Sequence, residues 1–190
     1  MDLSKSPKFC CSIAIYKVQI MQIKRQFNVN TSANRVWEIL GHNFGSVADW
    51  ASGVYVSQGN TSTRVFRDTP YSGRVCETVI GDFDETITRY DERERIVAYV
   101  AKSKKMPFFV KHLSNHWTVT ALSNNQCRVD MCMEAALLPV FNLIMAPIMQ
   151  MQLNPVLEDT IEELKYFAEK GVPHPRKLET QQKYQLKTAV

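Results

Sequence analysis

The sequence predicts an α+β fold in which a curved antiparallel β-sheet wraps around one long C-terminal α-helix, with two short helices near the N-terminus. Short alternating strands separated by polar turns fill the centre of the chain, and this pattern is typical of an antiparallel meander. An amphipathic helix follows them. It is the only long element available to cover the apolar face that a single sheet must bury.

The N-terminal part of the domain supplies the first strand and both short helices. Apolar and polar residues alternate from Met21 to Val29, and a period of two indicates a half-buried strand. One short helix is predicted over 33–40 and a second over 44–50, which ends at Trp50.

Six further strands are predicted from alternating runs that lie between polar turns. Within the last of them, apolar side chains alternate with polar ones, so one face of the sheet is expected to be dry and the other wet. The predicted strands cover 54–57, 74–78, 83–90, 95–101, 115–122 and 127–134.

Residues 135–157 carry no charge, and an acidic helix ending before Gly171 follows them. Such a run must be buried against lipid, a protein core or a ligand. Three internal prolines (Pro139, Pro147 and Pro155) each remove a helix hydrogen bond, and four amide side chains would need partners in hydrocarbon. A transmembrane segment is therefore not expected.

The same run is expected to divide in two. Residues 135–147 form a lead-in segment with a kink at Pro147, and the helical period begins near Ile148. Met149 and Leu153 then face the sheet and would contact a ligand.

Charge is distributed unevenly along the 190 residues. The formal net charge of +4 consists of +4 over 1–25, −3 over 26–171 and +3 over 172–190. An acidic body with basic ends is not the surface of a protein that binds nucleic acid.

The length and charge pattern predict a single domain over 21–171. Residues 1–20 are expected to be a poorly ordered extension, with Met1 and Met21 both candidates for the start, and 172–190 a disordered tail. Five cysteines without regular spacing indicate reduced thiols in a cytoplasmic protein. The short apolar patch before Met21 lacks the features of a signal peptide.

Several segments, in this order, resemble the START-like superfamily, also called SRPBCC, and most closely its polyketide cyclase/dehydrase-type branch. The resemblance implies the helix-grip fold, with an internal cavity between sheet and helix. The family often carries an arginine near the position of Cys76, whereas the nearest arginine here is Arg74. The segments that carry the resemblance are 27–37, 44–50, 85–91, 98–100 and 164–171.

Glu85 is the sharpest candidate for chemistry. Strand alternation places it with Phe83 and Ile87 on an apolar face, where desolvation would raise the pKa of a carboxyl group and suit it to acid–base catalysis. The alternative is an ion pair with Arg89 or Arg74 that anchors the sheet.

Other candidates share the predicted dry face. Tyr99 is the second catalytic candidate, or else a packed core residue, since its hydroxyl needs a partner inside. Methionines tolerate varied apolar ligands or fill irregular cores. The expected ligand-binding residues are Trp50, Glu85, Tyr99, Asn115, Trp117, Met131, Met133, Met149 and Leu153.

No metal site or cofactor is expected. His112 and His116 are four residues apart, but they lie where a loop enters a strand, without a third ligand. The loop over 102–112 is basic with an apolar tip, so it could gate the cavity, contact an anionic membrane surface, or simply pack.

These observations predict a module that binds a small hydrophobic, lipid- or polyketide-like molecule between sheet and C-terminal helix. One alternative is a cyclase or dehydratase in which Glu85 is the acid–base group and Tyr99 or His116 orients the substrate oxygen. Another is lipid transfer at a membrane surface. The oligomeric state is left open.

Overall fold

The structure, a computed structural model, describes residues 19–61 and 66–188. Seven strands form one antiparallel sheet in the order β1-β7-β6-β5-β4-β3-β2. Each pair of sequential strands from β2 to β7 is joined by a direct connection, and β1 closes against β7. The strands are β1 (Gln19–Val29), β2 (Val54–Asn60), β3 (Gly73–Thr78), β4 (Gly81–Asp91), β5 (Ile96–Lys102), β6 (Val110–Ser123) and β7 (Gln126–Leu137).

Two short helical segments lie between β1 and β2, as predicted. Helix α1 (Ala33–Trp37) begins where the Ser32 hydroxyl accepts a hydrogen bond from the Arg35 amide, and it continues as a π-helical turn (Glu38–His42). A 3₁₀ helix (Phe44–Asp49) follows and places Trp50 in the core. The predicted fold class is confirmed.

The long helix α2 (Pro139–Lys170) starts earlier than expected. The predicted lead-in segment does not exist as such, because residues 135–137 complete β7 and the helix then runs through Pro147. A proline is tolerated in the first helical turn, where its missing amide proton would have no partner, and Pro139 occupies that position. Gly171 ends the helix with a positive φ of 76°.

The core lies between the concave face of the sheet and the C-terminal half of α2. Leu157, Ile161 and Leu164 are buried there. Arg25 on β1 pairs with Glu158 at 2.7 Å and with the Asn154 amide oxygen at 2.8 Å, which ties the middle of the helix to the edge strand.

The segment expected to be a disordered tail instead forms helix α3 (Pro175–Thr188). Its polar sequence has no apolar stripe that would predict a packed helix. Three contacts with residues distant in the sequence attach α3 to the rest of the domain. The Lys177 ammonium donates to the Val54 carbonyl at 2.6 Å, and Tyr184 stacks on Tyr55 with ring centroids 4.4 Å apart. Arg176 completes the attachment through carboxylates of α2.

The N-terminal extension lies almost wholly outside the described residues, as do Cys10 and Cys11. Cys76, Cys127 and Cys132 are free thiols. The domain limits at 21 and 171 stay predictions, although β1 already begins at Gln19.

Arg176→Ala should destabilise the protein by about 2 kcal/mol, because it leaves the buried Glu163 carboxylate without its cation. Glu163 accepts hydrogen bonds from the Ser52 amide at 2.8 Å and from Arg176 at 3.0 Å. Urea unfolding measures the change in the free energy of unfolding. Lys183→Ala, on the exposed side of α3, is the matched control. Equal stability of the two variants would contradict a stabilising role for the Arg176–Glu163 contact.

Candidate functional site

The concave face of the sheet brings most of the predicted site residues together. Tyr99 lies directly opposite Asn115, which in turn lies opposite Met133. Trp117 and Met131 are partners in the next row. Strand alternation placed these five side chains on one face correctly, and the register aligns them into a continuous wall.

A buried ion pair stands on this face. Arg74 and Glu85 are cross-strand partners on β3 and β4, and the Arg74 Nε donates to a Glu85 carboxylate oxygen at 2.5 Å. Arg74 Nη1 also donates to the Phe44 carbonyl at 2.8 Å. Glu85 thus adopts the anchoring arrangement named above as the alternative to acid–base chemistry. Arg89, the other proposed partner, is exposed beyond a register shift in β4.

Aromatic rings enclose the guanidinium. Its carbon lies 4.1 Å from the ring centroid of Phe44 and 5.2 Å from that of Tyr99. The two rings meet edge to face, with centroids 5.2 Å apart. Cation–π contacts of this kind strengthen when they are desolvated, so the pair and both rings form one rigid unit.

The electrostatics of this unit follow from burial. Desolvation by itself would lower the pKa of Arg74, but the adjacent Glu85 carboxylate more than offsets it and the pKa is raised overall. Burial, and after it the Glu85 charge, raises the pKa of Tyr99 to about 12. Burial likewise raises the pKa of the Cys76 thiol to about 11. Tyr99 and Cys76 are therefore neutral at physiological pH.

The helix side of the site is less tightly packed than the sheet side. No residue from 139 to 156 is fully buried, whereas the segment after it contains several buried residues. Met149 and Leu153 are half-buried and pack against the core, and the same holds for Leu113 and Met133 on the sheet. The N-terminal half of α2 therefore packs less closely on the sheet than the region around the buried Leu164 does.

His116 does not belong to this site, and its expected role in orienting a substrate is wrong. It alternates with Asn115 and Trp117 along β6, so its ring lies on the outer face, opposite Cys132 and 3.1 Å from the Thr118 hydroxyl. Burial, and secondarily Arg89, lowers the pKa of His116.

A groove of about 570 Å³ lies on that outer face. Its lining mixes apolar side chains such as Val100 with polar ones such as Lys24 and Glu134. It lies on the side of the sheet away from α2, so it is not the cavity that was predicted between sheet and helix. Over 19–61 and 66–188, no three His, Cys, Asp or Glu side chains cluster in a way that could hold a metal ion.

From the sequence, Arg74 is predicted only as a possible partner of Glu85, and Phe44 is not predicted in the site. The family often carries an arginine near the position of Cys76, and Arg74 lies two positions before Cys76. Because a strand alternates with a period of two, both side chains occupy the same face, and this signal was available in the sequence. Phe44 gave no such signal, since its place over Arg74 depends on tertiary packing.

Comparisons with known proteins agree with this geometry. A family described as polyketide cyclase / dehydrase and lipid transport matches residues 21–169. The chain belongs to this family. Its START-like, helix-grip character is thereby shown, as the sequence analysis expected. No curated protein matches the chain.

Solved structures share the fold at low sequence identity. A START superfamily protein from Mycobacterium smegmatis has 14% identity and a TM-score of 0.62, over 78% of this chain and 97% of that one. Norcoclaurine synthase from Thalictrum flavum, in complex with dopamine and hydroxybenzaldehyde, has 15% identity and a TM-score of 0.56, over 85% and 96%. XoxI from Bacillus cereus has 17% identity and a TM-score of 0.57, over 76% of this chain and 92% of that one.

Tyr99 should make stability fall at alkaline pH. Its pKa rises from an ordinary 10.0 in the unfolded chain to about 12 in the fold. Between these values the unfolded state loses the proton and the folded state keeps it, so stability falls as pH rises, by about 1.4 kcal/mol per pH unit. Below pH 10, Tyr99 keeps its proton in both states and does not change the stability with pH. Urea unfolding of Tyr99→Phe should lack this part of the slope, whereas Tyr166→Phe should retain it.

Gly73→Ala should disrupt the Arg74–Glu85 strand pair. An added Cβ would lie 2.0 Å from the Glu85 carbonyl oxygen, and because that atom is backbone, the strands must separate. We expect a loss of about 3 kcal/mol, read from the denaturation midpoint. Gly53→Ala is the control, since its Cβ would meet nothing within 4 Å. Similar losses for both variants would contradict this packing.

Proposed function

We propose that the protein binds a small hydrophobic ligand, lipid- or polyketide-like, between the concave sheet face and the N-terminal half of α2. The observation that carries the proposal is the contrast within one helix. Its C-terminal half contributes five buried residues, whereas Met149 and Leu153 in its N-terminal half are only half-buried. An apolar ligand would bury the surface that these side chains leave open, at about 25 cal/mol per Å².

A few polar groups on this apolar wall would set selectivity. The Asn115 amide, the Tyr99 hydroxyl and the Arg74 guanidinium lie on the concave face. Neutral Tyr99 can donate a hydrogen bond to a ligand oxygen. These groups favour a ligand with a carbonyl, carboxyl or hydroxyl oxygen at one end and an apolar body under Met149 and Leu153.

The ion pair bears on the enzymatic alternative. The Arg74 Nε occupies one oxygen of the Glu85 carboxylate and anchors it to the neighbouring strand. This contact fits a structural role for Glu85, so we favour binding over catalysis. The three free thiols suit the cytoplasmic location that forms part of the proposal.

Met149→Trp should weaken binding of an apolar dye such as Nile red by about tenfold, on the order of 1.4 kcal/mol. The indole would occupy the space that we assign to the ligand. Dye fluorescence titration gives the dissociation constant. Met151→Trp is the control, because Met151 lies two residues away on the same helix and is 69% exposed.

Native mass spectrometry of the protein from its own host should reveal a retained apolar molecule, and its mass should be absent from Met149→Trp. Thermal shift with apolar compounds gives a second measure. An empty spectrum together with no stabilisation by any such compound would contradict ligand binding.

A further inference from the structure

Helix α2 is apolar on two opposite faces in its N-terminal half. One face carries the half-buried residues of the proposed ligand site. The other faces solvent, and its exposed positions recur at i, i+3, i+4, i+7, i+8 and i+11, which is the spacing of a single helical stripe. The stripe consists of Val140, Leu143, Ile144, Pro147, Ile148 and Met151.

The exposure of this stripe is large. Val140 is 75% exposed, Leu143 81% and Ile144 61%. Isolated exposed leucines are ordinary, but a contiguous apolar surface marks an interaction site. A helix that is hydrophobic on both faces is normally buried on both. Because this stripe is exposed, no described residue covers it.

The loop between β5 and β6 extends the stripe. Phe108 is 70% exposed at its tip, and its ring meets that of Phe141 with centroids 5.2 Å apart. Phe109 stacks on Phe141 at 5.1 Å, and its carbonyl accepts a hydrogen bond from the Leu138 amide. The loop tip and the start of α2 therefore form one continuous surface, here called the docking face, whose members are Phe108 and the stripe.

The loop that carries Phe108 is positively charged. The exposed lysines Lys102, Lys104, Lys105 and Lys111 flank Phe108. No aspartate or glutamate occurs over 103–129 or 135–157. Acidic side chains at this end of the sheet lie on β4, where Asp84 is opposite Lys102.

We propose that the docking face binds the surface of an anionic lipid membrane. Apolar side chains beside a lysine-rich loop match both parts of such a surface, since the apolar groups enter the acyl boundary and the lysines meet the headgroups. A second copy of the chain fits less well, because a symmetric interface would bring the two sets of lysines together.

The helix lies on the membrane and does not cross it. By length and composition α2 could span a bilayer, but its C-terminal half is held in the domain core. Leu157, Ile161 and Leu164 are buried, and Glu163 is bonded to Ser52. A span would extract these groups, whereas surface binding leaves the fold intact.

The proposal rests on a different surface from the ligand site, although membrane binding would suit a protein that exchanges a lipid-like ligand. The test is sedimentation of the full chain with vesicles of phosphatidylcholine, alone or mixed with phosphatidylserine. We expect binding to the mixed vesicles, weakened by added salt. The double variant Leu143→Glu/Ile144→Glu should lose about tenfold or more in vesicle affinity.

The matched control is Leu186→Glu, because Leu186 is a leucine 66% exposed on another helix, α3. It should bind vesicles like the parent chain, and the glutamate variants should keep the parent thermal midpoint, since the residues they change are exposed. Lys104→Glu/Lys105→Glu should abolish the preference for phosphatidylserine. Met149→Trp should bind vesicles normally, which separates this result from failure of the ligand proposal.

Three results would overturn the membrane proposal. The first is that the full chain does not bind vesicles. This holds also if a chain without residues 1–18 binds them, because the docking face would then be covered in the full chain. The second is equal binding by Leu143→Glu/Ile144→Glu. The third is a stable dimer that this double variant dissociates, which would assign the face to a second copy.

Discussion

The structure depends on one constraint, which is that a single curved sheet must have its concave face covered. Among the described residues, α2 is the longest helix and covers that face, and the Arg25–Glu158 contact ties it to β1. The two halves of α2 have different structural roles. The C-terminal half closes the core around Leu164, whereas the N-terminal half lies over the sheet more loosely. The proposed site and the docking face both arise from this looser half.

The ion pair of Arg74 and Glu85 is the second feature that organises the interior. Placing two charges in a core is unfavourable unless each is paired and hydrogen-bonded. Here the guanidinium has a carboxylate, a backbone carbonyl and two aromatic faces around it. Tyr99 packs against this guanidinium, and burial together with the Glu85 charge keeps its hydroxyl neutral.

The two proposed surfaces are back to back on one helix. Met149 and Leu153 face the sheet, and the stripe from Val140 to Met151 faces outward. A ligand that leaves the concave face near α2 would therefore emerge beside Phe108 and the lysines of its loop. The two proposals together would connect ligand binding to a membrane surface without a transmembrane segment.

Local patterns in the sequence determined the fold class, the alternation of the strands, and the side chains that occupy the concave face. A strand's period of two is set by backbone geometry, so Tyr99, Trp117 and Met131 could be placed on one face from the sequence alone. Family resemblance extended this to the helix-grip arrangement. Those predictions needed no knowledge of distant contacts.

Tertiary structure decided what depends on contacts between distant residues. The register of β3 against β4 selected Arg74 over Arg89 as the partner of Glu85. Long-range charge pairs and ring stacking held α3 as a helix where the polar sequence predicted disorder. In the uncharged run, the helical period predicted from the sequence alone that Met149 and Leu153 face the sheet. The exposure of the apolar stripe on the opposite side of the helix, which includes Met151, is a property of the tertiary packing.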